Sequence, residues 1–212
     1  IEALFLVRVF LPGKLLLVFD YAGSGASEGT YITLGVREAE DARRVIDAAR
    51  GMQRVRRVAL WGRSMGAVAA ILLAAEPANA GLVHCLVLDS PFASFRAMVY
   101  DVIYARAAVP KCSINLALRV VLAAVQKRTR VALDEIDPQR ALAGLAVPAF
   151  FLVGLQDQIA RPDRVKDLFL TLPAREKEFH VVPGEHASPR SANVVLAAVF
   201  FALRCLEAAG PL

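Results

Sequence analysis

The stretch from Val58 to Ala70, VALWGRSMGAVAA, constrains this chain more than any other. A short apolar run, Val58 to Trp61, predicts a buried strand, and Ala67 to Ala75, rich in Ala and Leu, predicts a helix. Between them lies Gly62-Arg63-Ser64-Met65-Gly66, a G-x-S-x-G sequence on a strand-to-helix turn. A serine on such a turn sits in strained backbone that lifts its hydroxyl above the sheet and aims the N–H of the next residue, Met65, at whatever the hydroxyl attacks. Gly62 and Gly66 are expected to be steric requirements, because a Cβ at either would meet the neighbouring strand or helix. Ser64 is therefore a candidate nucleophile, which needs a base and an acid from elsewhere in the chain.

Taken in order, the chain alternates strand and helix patterns. Residues 1–11 fit an amphipathic helix, with Leu4, Val7 and Leu11 on one stripe, or a strand; Pro12-Gly13 ends it. Lys14 to Phe19 has a buried-strand pattern and runs into the Gly/Ser-rich loop Asp20 to Gly29. Val36 to Arg50 has helical spacing, with Glu38, Glu40 and Asp41 toward its positive end. After the Val58 strand and its helix, Leu82 to Leu88 is a third strand ending at Asp89-Ser90-Pro91. Residues 92–146 break the alternation: helical pieces from Phe95 to Ala108, Ile114 to Lys127 and Pro138 to Gly144 form an inserted cap. The alternation then resumes with Ala149 to Val153, Pro162 to Leu172, Lys177 to Val182 and Pro189 to Glu207, and Pro162 and Pro189 fall where a first helical turn tolerates proline. Such repeats build a mainly parallel α/β sheet with helices on both faces, and 212 residues suit one domain, 1–212, carrying the cap at 92–146.

Hydrophobic residues make up 57% of the chain and mean hydropathy is +0.48, which raises the question of a membrane span. The longest apolar runs, near Leu116 to Val125 and Val194 to Leu203, meet Arg119 and Arg204 before reaching the roughly 18 to 20 residues a span needs. A parallel sheet buried on both faces accounts for the excess. The N-terminal segment has Glu2 and the Pro12-Gly13-Lys14 break, so it lacks the layout of a secretory signal. Cys85, Cys112 and Cys205 are unevenly spaced in apolar surroundings, which predicts buried thiols and a cytoplasmic location. No Cys/His spacing suggests a metal. Gly23-Ser24-Gly25 lacks the third glycine and the later acid of a dinucleotide site, so no cofactor is expected. The net charge of +5 comes from scattered arginines, with local clusters only at Lys127 to Arg130 and Arg54 to Arg57. Without interleaved aromatics these predict a solvated surface and no nucleic-acid partner, while leaving room for weak peripheral association with anionic membranes.

In a parallel sheet, chemistry gathers at the C-terminal ends of strands. Ser64, Asp157 in GLQDQIARP, His186 in PGEHASP and Asp20 all follow predicted strands. Rivals are weaker on position: His180 lies inside a strand, His84 precedes one, and Asp163 is in a first helical turn where it offsets the dipole. Asp89, which also ends a strand, stays open as an alternative acid, whereas Asp20 reads as a turn-former accepting N–H groups from Gly23-Ser24-Gly25. With FDYAGSGASEG, LGVREAEDARRVID, LWGRSMGA, DSPF, VPAFFLVGLQDQIARP and GEH in this order, the chain resembles the α/β-hydrolase superfamily of serine hydrolases. Within it, the motifs are similar to the small esterase, thioesterase and serine-aminopeptidase-like branch that includes protein depalmitoylases.

That resemblance implies Ser64 as nucleophile, His186 as general base, Asp157 as its orienting acid and the Met65 N–H as half of an oxyanion hole. It implies an acylated or small-molecule substrate, ester or thioester with small amides as an extension, and a cap whose Phe92, Phe95, Met98, Ile103 and Leu118 suit a greasy group. One departure concerns the other half of the oxyanion hole. In the family, a His-Gly loop on a strand between those matching the Leu15 and Val58 strands supplies it, and this sequence contains no counterpart. The expectation is a fragment lacking N-terminal strands, with a catalytically inactive binding or scaffold module as the alternative function.

Overall fold

The computed structural model describes residues 14–52 and 55–208. The expected helix or strand over 1–11 lies outside them, as does Arg54 of the second basic cluster. Helix α1 (Val36–Met52) leads into strand β1 (Ala59–Arg63), helix α2 (Met65–Ala75) and strand β2 (Cys85–Asp89). Helices α3 (Phe95–Tyr104), α4 (Lys111–Thr129) and α5 (Pro138–Ala143) follow over the segment expected as a cap. Strand β3 (Ala149–Gly154), α6 (Pro162–Thr171), β4 (Lys177–Val182) and α7 (Ala192–Ala208) complete the described chain. The strands form one parallel sheet in the order β1-β2-β3-β4, as the strand-helix alternation predicts.

Alternation along the central strands explains how both faces are filled. Leu86 and Leu88 of β2, with Phe151 and Val153 of β3, point into a core closed by α1, α2, α5 and α6. Cys85 and Val87, with Phe150 and Leu152, point the other way against Val194, Ala198 and Phe201 of α7. Helix α2 lies deep in the first layer, with Ala67 to Ile71 and Leu73 and Ala74 all buried. Its near-uniform apolar surface is what such burial requires.

Several elements differ from expectation. Lys14 to Phe19 forms no strand, and Leu15, Leu17, Val18 and Phe19 are exposed. The segment has the apolar side chains of a strand, but β1 has a ladder partner on one edge only among the described residues, so nothing there pairs its backbone. Leu16 instead packs on Val199 and Leu203 of α7. Helix α7 starts at Ala192, so Pro189 lies ahead of the first turn, whereas Pro162 does open α6. Cys85 and Cys205 are buried, but Cys112 is exposed because it lies on the outer side of α4. No described helix is long and apolar enough to cross a membrane.

Candidate active site

Ser64 occupies the turn between β1 and α2 with φ 52° and ψ −117°, left-handed backbone that a non-glycine residue rarely adopts. Two contacts hold it there. Its N–H donates to the carbonyl of Asp89 at 2.8 Å, extending the β1–β2 ladder by one residue, and its own carbonyl accepts from Ala67 and Val68 as the first helical bonds of α2. The N–H of Met65 precedes those first intrahelical donors and so stays outside the helical ladder. The two glycines of the motif differ. A Cβ on Gly62 would lie 2.1 Å from the carbonyl oxygen of Gly66, so the helix can turn back over the strand only with glycine there. A Cβ on Gly66 would meet nothing closer than the Tyr21 hydroxyl at 3.8 Å, so the steric requirement expected at Gly66 is absent. Burial first, then the charges of Glu38 and Asp41, push the Tyr21 phenol up to about 12, which keeps it protonated.

The loops after β3 and β4 bring Asp157 and His186 to this turn. His186 Nε2 lies 2.8 Å from Ser64 Oγ, and His186 Nδ1 lies 2.8 Å from Asp157 Oδ2. The Asp157 side chain is fully buried, while the imidazole keeps 19% of its surface. Burial alone would raise the Asp157 pKa. The His186 ring, the Ala160 N–H and the Ser90 hydroxyl together outweigh it and hold the carboxyl below the usual range. Its Oδ1 accepts from the N–H groups of Ile159 and Ala160 at 3.0 and 2.8 Å, leaving Oδ2 for the imidazole. An ionised carboxylate only accepts, so Nδ1 carries the proton and Nε2 presents a lone pair to the Ser64 hydroxyl.

The rivals are occupied elsewhere. Asp89 is buried and bonded to Arg190, whose Nη2 reaches Oδ1 at 2.7 Å and whose Nε reaches Oδ2 at 3.0 Å; it is not in contact with an imidazole. His180 stacks on Phe150 with ring centroids 4.4 Å apart and bonds Glu178. His84 meets the Val58 N–H, and burial lowers its pKa. Asp163 pairs with Arg161. Asp20 is a turn-former, although its carboxylate accepts from Ala26 N–H at 3.0 Å and not from the glycine turn itself; Gly25 approaches so closely that a Cβ would strike that carboxylate. Among the described residues no cluster of His, Cys, Asp or Glu is arranged to hold a metal.

Three residues of the site receive no role from the sequence pattern, although Arg63 lies within LWGRSMGA and Ser90 within DSPF. Arg63, immediately before Ser64, donates from Nη2 to the carbonyls of His186 and Ser188 at 2.8 and 2.6 Å, and its Nε lies 3.4 Å from Asp89 Oδ2. Arg190 donates to the Ser90 hydroxyl at 2.9 Å, and that hydroxyl donates to Asp89 at 3.1 Å. A buried carboxylate thus anchors two arginines, and both hold the 183–190 loop that carries the imidazole. An arginine beside a candidate nucleophile, in a strand flanked by glycine, is the only sequence hint of this network.

The family described as serine aminopeptidase, S33 matches residues 5–140. The structure is similar to the Pyrococcus furiosus esterase Pf2001, with TM-score 0.61 at 20% identity over 89% of this chain and 67% of that one. It is similar to DcsB, solved with its substrate analogue, with TM-score 0.64 at 20% identity over 90% and 79%. A third likeness is to the Paleococcus ferrophilus monoacylglycerol lipase, with TM-score 0.57 at 17% identity over 87% and 82%. At these identities the solved structures establish a shared fold.

Proposed function

The chain belongs to the serine aminopeptidase S33 family of α/β-hydrolases, and from that premise we propose that it cleaves an ester or thioester, with a small amide as an extension, through an acyl-serine on Ser64. The observation that carries this reading is the continuous chain Ser64 Oγ, His186, Asp157 with both links at 2.8 Å. In the first step the Ser64 oxygen bonds to the acyl carbon while its proton passes to His186 Nε2. The carbonyl electron pair moves onto oxygen, which accepts a hydrogen bond from the Met65 N–H in this reading. Collapse of that tetrahedral species breaks the bond to the leaving alcohol or thiol, which takes the proton back from Nε2. Water then repeats the sequence, with Nε2 as base, and releases the acid. Asp157 stays ionised throughout and stabilises the imidazolium.

Phe92, Phe95, Met98, Ile103 and Leu118 of the cap belong to one apolar cluster with Val68, a turn beyond Ser64. This supports an apolar acyl or leaving group. Labelling with a fluorophosphonate, which phosphonylates an activated serine with loss of fluoride, tests the reading. Labelling of the native chain that disappears in Ser64→Ala supports it; a folded chain that takes no label points to the inactive-module alternative.

A further inference from the structure

Helix α4 is held by a single stripe. Ile114, Leu118, Leu122 and Thr129 are its buried residues, and the three apolar ones pack on Val68, Phe92, Leu133 and Ile136. Positions on the opposite side are apolar too. Leu116 is 66% exposed and Val120 65%, Ala123 and Ala124 extend the same surface, and Val121, 50% exposed, flanks the buried stripe. At 100° per residue, Leu116, Val120 and Ala123 or Ala124 fall one above the other, so these side chains make a continuous outward stripe and not scattered exposures.

Charge decides what such a stripe fits. From Lys111 to Arg130 the chain carries Lys111, Arg119, Lys127, Arg128 and Arg130 and no acidic residue. Among the described residues none of the five has an ion-pair partner, although Arg96 on α3 and Arg161 and Arg164 at the start of α6 all do. Lys127 and Arg128 lie in the last turn, where the helix dipole favours cations, but Arg119 is in mid-helix and gains nothing from it. A second copy seated on this face would set like charges against like. An anionic bilayer meets both features: the apolar side chains enter the acyl boundary while the long basic side chains reach the phosphates.

We propose that the outer face of α4 docks the protein on membranes that carry anionic lipid. Docking would hold the cap, and through Val68 the turn that follows Ser64, at the surface where long acyl chains reside. The inference stands on the placement of α4 and not on the chemistry of Ser64, so each can fail without the other.

Co-sedimentation of the whole chain with two kinds of vesicle provides the test, one of phosphatidylcholine alone and one of equal parts phosphatidylcholine and phosphatidylserine. The expected result is binding to the mixed vesicles that weakens in high salt. Partition should fall about fivefold for each cation removed, hence about twenty-five-fold in the double variant Lys127→Gln/Arg128→Gln. A second double variant, Leu116→Gln/Val120→Gln, should lose binding to at least a similar degree, with urea midpoint and short-ester turnover at native values, because all four side chains are surface groups of a helix anchored by its other face. Equal affinity for both vesicles, no binding at all, or binding that survives Leu116→Gln/Val120→Gln would each overturn the proposal. So would a lipid-free dimer abolished by that same variant, which would assign the face to a second copy.

Discussion

Ser64 and Ser90 stand side by side at the top of the sheet, and the difference between them isolates what makes one a candidate nucleophile. Arg63 and Asp89 are register partners on β1 and β2, so the two serines are the next residues on neighbouring strands. Both have φ 52°, and both extend a ladder, Ser64 to Asp89 O at 2.8 Å and Ser90 to Leu152 O at 2.7 Å. Each stores strain on the order of 1–3 kcal/mol, yet only one faces a base. Ser64 is followed at once by a helix, which turns the chain up and leaves the hydroxyl at the imidazole. Ser90 is followed by Pro91 and is fully buried, its hydroxyl shared among Asp89, Arg190 and the Asp157 carboxyl and away from the imidazole. Strain at a strand end is therefore not itself the signature of a nucleophile; what matters is which groups the flanking loops bring to the hydroxyl.

Ser64→Ala and Ser90→Ala are the sharpest way to break that contrast. Ser64→Ala should abolish fluorophosphonate labelling and lower ester turnover by on the order of 10⁶-fold. Ser90→Ala should keep the label, since its hydroxyl touches the supporting network and not the imidazole Nε2. Loss of labelling in a folded Ser90→Ala would show that the two serines are not separable. Next in size is Asp157→Asn, expected to cost on the order of 10⁴ in kcat by releasing the imidazole from its useful tautomer. The same variant reports on acid stability. Asp157 has a depressed pKa in the folded state, so its contribution is fully present above its unfolded value, near the usual carboxylate range, and is lost as pH falls through the folded value. The acid limb of a urea-midpoint profile should therefore be shallower in Asp157→Asn than in the native chain.

The sequence and the structure part company where information is non-local. Strands β2, β3 and β4 and the Ser64 turn were legible because each is a short apolar run with its own stop signals, and Asp157 and His186 lie on loops directly after such runs. Lys14 to Phe19 has an equally apolar pattern and is no strand, since a strand is defined by a partner's backbone, which side-chain pattern does not encode. The network of Arg63, Asp89, Ser90 and Arg190 was invisible for a related reason: its members are up to 127 positions apart, and only Asp89 attracted notice, as a rival acid. The exposure of Cys112 likewise depends on which stripe of α4 the body of the protein buries.

That network distinguishes the two serines energetically as well. Arg190 and Asp89 both have side chains only 3% exposed, so Arg190→Leu strands a buried carboxylate with Arg63 as its remaining cation. The expected loss is about 3–5 kcal/mol of folding stability, read from urea unfolding. Replacing both partners by apolar groups should cost less than the single change, because no charge is then left uncompensated. A small loss in Arg190→Leu would mean that Arg63 alone neutralises Asp89, and that the surroundings of Ser90 are less rigid than the pairing suggests.

The smallest expected effects come from the glycines, and they test why only one of the two turns leads into a helix. Gly62 is paired in register with Leu88, so the same position carries no side chain in one strand and a buried leucine in the other. Leu88 is tolerated because the chain beyond Ser90 does not fold back over it. Beyond Ser64 it does, bringing the Gly66 carbonyl within 2.1 Å of where a Gly62 Cβ would be. Gly62→Ala should therefore destabilise by about 1–3 kcal/mol and weaken labelling, since the turn must open to admit the methyl group. Gly66→Ala has space for its methyl and an ordinary helical backbone. It should be neutral or stabilise by up to about 1 kcal/mol, with labelling retained. If urea unfolding and labelling showed equal losses at both positions, the close approach of strand and helix would not be what sets the Ser64 turn, and the contrast with Ser90 would have to rest on the loops alone.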